Sequence, residues 1–215
     1  VRIFFRGRPE TQVKILLPVV LVQVCVSQMI RVAGFDGDGW PIVVWRWTST
    51  NEYQVRPAPP IRAEPAEVDL TATTSGDFPS FRGRDRLGVA RGSRLARDWV
   101  LRPPELLWRH PVGAGWGSFA VVGDYCVTQE QRGEHEAVVC YELRTGRQRW
   151  VHHDAARFDE VTSGPGPRAT PRVYGGRVYA LGATGILHCP EGAPGQPRRA
   201  ADILEENRAA TPLFG

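Results

Sequence analysis

The stretch 106-LLWRHPVGAGWGSFAVVGDYCVTQEQRGEHEAVVCYELRTGRQRW-150 decides the fold, because 169-ATPRVYGGRVYALGATGILHCPEGAPGQPRR-199 reads as a second copy of it. Aligning Val122-Gly123-Asp124-Tyr125-Cys126-Val127 with Tyr174-Gly175-Gly176-Arg177-Val178-Tyr179 gives an offset of 52, and aligning Cys140-Tyr141-Glu142 with Cys189-Pro190-Glu191 gives 49. A near-constant offset of this size marks a repeat architecture. Each copy reads as a short strand, a Gly turn, a strand, a loop, a strand and a second Gly turn, which is a propeller blade in outline.

Within the first copy, 119-FAVVG-123, 125-YCVTQEQ-131 and 136-EAVVCYEL-143 alternate as half-buried strands do. The predicted turns are Gly123-Asp124, Arg132-Gly133 and Thr145-Gly146, and Trp150 closes the unit. The segment 105-ELLWRHPV-112 is predicted to be a strand leading in. Glu130, Glu134 and Glu136 flank the Arg132-Gly133 turn and read as a solvated hairpin tip. After residue 34 the one predicted helix is 200-AADILEENRAA-210.

Outward from the repeats the chain changes character twice. Residues 54–76 are rich in Pro, Ala and Glu, as in 57-PAPPIRAEPAE-67, a composition that buries no core and reads as an extended linker. Residues 34-GFDGDGWPIVVWRWTSTNEY-53 are aromatic, with 41-PIVVWRW-47 as one strand. Asp36 and Asp38 with their glycines read as a turn, since the calcium-loop template fails at Trp40 and Pro41. Before these, Arg2, Arg6, Arg8 and Lys14 precede the uncharged run 15-ILLPVVLVQVCVSQMI-30, which ends at Arg31. The basic flank predicts a transmembrane signal-anchor helix extended toward Ala33, placing the remainder outside the cytoplasm; the alternatives are a cleaved signal peptide, for which no A-x-A site follows the run, and a lipoprotein site at Cys25, where Val24 is not the small residue required. The predicted organisation is therefore 1–34 membrane anchor, 35–76 aromatic segment and linker, and 77–215 the start of a repeat domain.

Composition excludes several classes of function. With 27 basic and 23 acidic residues the net charge is only +4, so there is no general attraction to nucleic acid. The densest basic cluster, 82-RGRDRLGVARGSRLAR-97, is broken by glycines and Asp85 and reads as a solvated loop, so no nucleic-acid partner is expected. Cys25, Cys126, Cys140 and Cys189 form no C-x-x-C pair, which argues against a zinc site built on cysteine. Cys126 and Cys140 are close enough in a hairpin to raise the question of a disulfide, although free buried thiols are the commoner outcome on strands. In His152-His153-Asp154 the adjacent histidines point to opposite faces of a strand and so do not chelate one ion together; a solvated loop after Trp150 is the expected setting, with no metal site. The Gly-rich runs 113–117 and 164–167 precede no helix and no Lys, so they are backbone-approach turns and not phosphate loops.

The pattern strand, Gly turn, strand and Leu143-Arg144-Thr145-Gly146-Arg147-Gln148-Arg149-Trp150 resembles the repeat of the quinoprotein-type propellers. These are the bacterial PQQ-binding-like β-propeller repeat proteins, including the PQQ dehydrogenases and the BamB-type propellers. The segments 77-DFPSFRGRDRLGV-89, 107-LWRHPVGAGWGSFAV-121, 164-GPGPRATP-171 and 177-RVYALGATGIL-187 extend that resemblance over residues 77–215. It implies an all-β chain: about two blades of an eight-bladed propeller, preceded by the N-terminal transmembrane helix, the whole being an N-terminal fragment. It further implies that Trp108 and Trp150 are wedges between neighbouring blades, stacking on turns of the Thr145-Gly146 kind. The second copy departs from the pattern, with Glu191-Gly192-Ala193-Pro194-Gly195 at the turn and Arg199 near the expected Trp.

A PQQ dehydrogenase needs an adjacent Cys pair and calcium-binding carboxylates, and this chain has no vicinal cysteines. The expected function is therefore a non-enzymatic, membrane-anchored scaffold at the cell inner membrane, its propeller facing the periplasm. It would touch the membrane through residues 15–33, bind envelope proteins and need no cofactor. The alternative is a PQQ- and calcium-dependent oxidoreductase whose site lies in further blades.

Overall fold

A computed structural model describes residues 9–35, 38–48, 68–71, 74–90, 95–160, 164–190 and 197–209. The chain divides into two units, Val1–Ser49 with Val161–Gly164, and Thr50–Glu160 with Pro165–Gly215. Most of the linker expected over 54–76 lies outside the described residues, but its described part corrects the expectation that it buries no core, since Val68 and Leu70 are buried in the core.

In the first unit, helix α1 (Pro9–Met29) is followed by strands β1 (Ile30–Phe35) and β2 (Pro41–Trp45), an antiparallel pair with Ile30 opposite Trp45 and Val32 opposite Val43. The tryptophans at its end stack, the Trp45 and Trp47 centroids lying 5.3 Å apart. The helix thus forms where an anchor was expected, but the extension toward Ala33 does not. The chain becomes a strand at Ile30, which leaves an uncharged helical run from Ile15 to Met29 of about 22 Å, against a hydrocarbon core of about 30 Å. Among the described residues no helix is long and apolar enough to cross a membrane. The side chains of Leu16, Leu17, Val19 to Val22, Val24 and Val26 are nonetheless exposed.

In the second unit the repeat becomes two antiparallel meanders. The first runs β3 (Ala120–Val122), β4 (Tyr125–Arg132), β5 (His135–Glu142) and β6 (Gln148–Asp154), each strand pairing with the next. After the short strands β7 (Asp159–Glu160) and β8 (Gly164–Pro165), the second runs β9 (Arg172–Tyr174), β10 (Arg177–Leu181), β11 (Ile186–Pro190) and β12 (Pro197–Asp202). The chain is mostly β, and two sequential four-stranded antiparallel sheets are consistent with part of a β-propeller. The turn expected at Glu191–Gly195 lies outside the described residues.

Alternation sorts β4, β5 and β6 into two faces. One carries Val127, Val138, Cys140 and Trp150, which pack with Val122, Val173, Val178 and Ala180 in a core shared by both sheets. The other carries Cys126, Ala137, Val139 and Tyr141 in a second core. A strap from the linker side closes the first: Val68 and Leu70 enter it, Phe78 pairs with Val121 on β3, and Val173 N of β9 donates to Pro79 O at 2.8 Å. The Gly-rich run 113–117 does allow backbones to approach, since a Cβ at Gly117 would collide with the Ala169 carbonyl and one at Gly113 with that of Gln131.

Two expected elements differ. The segment 105–112 is unpaired rather than a strand, because Pro103, Pro104 and Pro111 offer no N–H to a ladder and Trp108 leaves the line to cover the Thr145-Gly146 turn. The C-terminal helix shrinks to α2 (Ile203–Glu206): Ala200 and Ala201 are claimed by β12 pairing with β11, and the Asp202 carboxylate caps the helix by accepting from Leu204 N and Glu205 N.

Gly146 has φ +68, and a Cβ there would lie 2.5 Å from the Trp108 ring. Gly146→Ala should therefore destabilise by about 2–4 kcal/mol, from left-handed strain and overpacking together, read as a lower urea midpoint. All four cysteines are free, and Cys126 and Cys140 lie on opposite faces of the sheet, which excludes a bond between them. Burial raises the Cys126 thiol from 9.0 to about 11 and raises Cys140 further. The fold thus favours the neutral thiols; that stabilisation is complete below pH 9 and is lost as pH climbs through about 11, because the unfolded chain ionises first. Urea midpoints should fall over this interval, and Cys126→Ala should make the fall shallower.

Candidate functional site

The Thr145-Gly146 turn sets β6 against β5 in a register that pairs Cys140 with Trp150, Val138 with His152 and Glu136 with Asp154. Trp150, His152 and Asp154 therefore share the face turned toward the second sheet, while His153 points the other way, its ring 6.2 Å from that of His135. The inter-sheet space is apolar around Trp150 and becomes polar two rungs further on.

There β11 contributes His188, held opposite Ala180 on β10. Its Nε2 lies 2.8 Å from Asp154 Oδ2, and His152 Nε2 lies 3.1 Å from Asp154 Oδ1. The two imidazole centroids are 4.8 Å apart. The ligand atoms of His152, Asp154 and His188 all lie within 4.8 Å of one another. His188 is only 4% exposed, and neither of its ring nitrogens makes an aligned hydrogen bond. Burial works to raise the Asp154 carboxyl, but the neighbouring His152 and His188 outweigh it and hold it well below the usual carboxylate range. Beside them Glu136 is buried and accepts from Ala183 N at 3.1 Å, which ties it to the turn before β11. Burial raises its carboxyl, and the charge of Asp154 adds to that.

This corrects the expected solvated loop after Trp150: His152 and His153 stand on a strand and are partly buried. The opposed directions of the adjacent histidines are as expected. Sequence reasoning missed the i, i+2 pair His152 and Asp154, a signal available once the segment is read as a strand, and missed His188, which only the packing of the sheets brings near.

The expected solvated hairpin tip holds for Glu134, which is exposed, and is corrected for Glu130 and Glu136, which are buried. Glu130 is 1% exposed and lies on the opposite face from Glu136. Its carboxylate takes the Arg132 guanidinium, including Nε at 2.9 Å, the Gly113 N–H and the Tyr141 hydroxyl. Burial raises the Tyr141 hydroxyl pKa, and the charge of Glu130 adds to this. Glu130 and Arg132 sit inside because the second core covers the face that exposure would have required.

The structure places Trp108 on the Thr145-Gly146 turn of the sheet that follows it in sequence, its Nε1 donating to Leu143 O at 2.8 Å. Thr145 Oγ1 donates to the Glu142 carboxylate at 2.6 Å and accepts from Arg147 N at 3.1 Å, which shapes the turn under the ring. Trp150 lies in the core between the two sheets and touches no such turn among the described residues; its buried Nε1 has no hydrogen-bond partner.

Fold and site together give two sequential four-stranded antiparallel sheets, consistent with part of a β-propeller, with a His-Asp-His cluster between them. No family model matches the chain, and no curated protein matches it. Among solved structures it is similar to the quinohemoprotein alcohol dehydrogenase from Comamonas testosteroni, at 17% identity and a TM-score of 0.47 over 63% of this chain. The match covers 20% of that enzyme's chain, so this chain spans about a fifth of its length.

Arg132→Met leaves the Glu130 carboxylate buried without its cation, and should destabilise by about 3–5 kcal/mol in urea unfolding. Adding Glu130→Gln to that variant should restore a large part of the loss, because the unpaired charge is then gone.

Proposed function

We propose that this chain is a non-enzymatic β-propeller scaffold that binds protein partners of the cell envelope. The observation that carries the reading is the segment before the first sheet. Leu95, Trp99, Val100, Leu101, Leu106 and Leu107 are all exposed, Val100 to 91%, and none lies in a paired strand. The segment is nevertheless given local shape: Asp98 Oδ1 accepts from Val100 N and Leu101 N, both at 3.0 Å. Covering each large apolar side chain is worth about 1.5–3 kcal/mol, a driving force for association available to a partner with a matching apolar face. The same reading keeps the chain at the inner membrane with its sheets facing the periplasm, in contact with lipid through the exposed apolar side chains of α1; the support is the basic flank Arg2, Arg6 and Arg8. It needs no cofactor.

The test is site-directed photo-cross-linking in cells, with the probe at position 99 or 106 and, as control, at the exposed Arg177. A defined protein adduct in the envelope fraction from 99 and 106 only, abolished by Val100→Ser with Leu101→Ser, is the expected result. Identical adducts from all three positions would overturn the reading. So would dye-linked alcohol oxidation appearing on addition of PQQ and calcium.

A further inference from the structure

We infer that His152, Asp154 and His188 form a metal site that binds a divalent ion of the zinc class and fastens the first sheet to the second. The donors come from both sides of the inter-sheet space, two from β6 and one from β11, so an ion held by all three bridges sheets that also meet through apolar packing and the Glu136–Ala183 hydrogen bond.

The geometry is close to what such an ion requires. A tetrahedral zinc with nitrogen ligands at about 2.0–2.1 Å separates neighbouring ligand atoms by about 3.3 Å. The imidazole-to-carboxylate distances here are 3.1 and 2.8 Å, and all three donors fall within 4.8 Å of one another.

A second observation points the same way. The His188 imidazole is almost wholly buried, its Nδ1 has no partner, and its Nε2 faces the Asp154 carboxylate without the alignment of a hydrogen bond. Buried polar nitrogens left in this state are uncommon in folded proteins, and an ion taken by the ring would give one of them its partner.

The donor set selects the ion class. Two imidazoles and one carboxylate suit zinc and its transition-metal neighbours, while calcium and magnesium prefer all-oxygen cages. Glu136, on the rung of Asp154, adds negative charge that favours a dication. Its bond from Ala183 N also steadies the turn from which β11 departs. The three donors leave the fourth tetrahedral position to a water, and with the His152 and Asp154 side chains only 14% and 16% exposed that position has little access from solvent.

The experiment is zinc titration of the chelator-treated full chain against a chromophoric chelator, with cobalt(II) absorption as the second readout. One equivalent of zinc should bind at sub-micromolar Kd, cobalt should give the intense visible bands of tetrahedral coordination, and zinc should raise Tm. His188→Gln and Asp154→Asn should each weaken zinc binding at least 100-fold, whereas His135→Gln and His110→Gln should leave it unchanged. Circular dichroism checks folding, and His152→Gln, at the more open side of the site, serves if His188→Gln does not fold. Loss of zinc on His135→Gln would overturn the proposal, as would wild-type binding no tighter than that of His152→Gln, or a cobalt spectrum of the hydrated ion. A change in Tm on Asp154→Asn with no change in zinc affinity would mean that the three residues form a hydrogen-bonded cluster only.

Discussion

Both faces of β4, β5 and β6 are covered, and the rest of the second unit follows from that. A half-solvated sheet sends its polar residues to water. This one cannot, because Cys126, Val139 and Tyr141 lie in one core and Val127, Cys140 and Trp150 in another. Every charged residue on these strands beyond the apolar rungs must therefore find a partner within the protein. On one face Glu130 takes Arg132, Tyr141 and the Gly113 amide. On the other, Asp154 lies between His152 and His188, and Glu136 takes the Ala183 amide. The buried ion pair and the histidine cluster are two answers to one burial problem.

That constraint also separates what is architecture from what is available for binding. Trp108, Thr145 and Gly146 form one packed unit, in which the glycine permits the ring to lie on the turn and the indole N–H is satisfied by Leu143 O. These three residues are in this sense taken up by the fold. The apolar side chains between Leu95 and Leu107 are not, and that contrast is what directs attention to them as a surface for a partner.

Much of the fold could be read along the chain. The offset of 52 between Val122 and Tyr174 reappears as β3 against β9 and β4 against β10, and the drift to 49 reappears in the later strands. Where reading along the chain failed, the cause was a partner distant in sequence. Residues 105–112 have strand-like composition, but Trp108 is drawn to Gly146. Ala200 and Ala201 favour helix, but β11 recruits them to its edge. The run from Ile15 looks longer than the helix it forms, because Ile30 to Phe35 pair with β2 instead.

What the sequence by itself determined was periodicity: two copies of a unit of three strands, the Gly turns in it, and which side chains alternate; the fourth strand of each sheet, β6 and β12, was not legible in it. Those properties are local, since a strand's period and a turn's φ depend on a few neighbouring residues. What only the tertiary structure decided was the fate of the charged residues. Nothing near Glu130 in sequence says that its face is covered, and nothing near Asp154 says that His188, on another sheet, comes within 2.8 Å of it. Burial and charge pairing are set by which surfaces meet, and that depends on the packing of strands far apart in the chain.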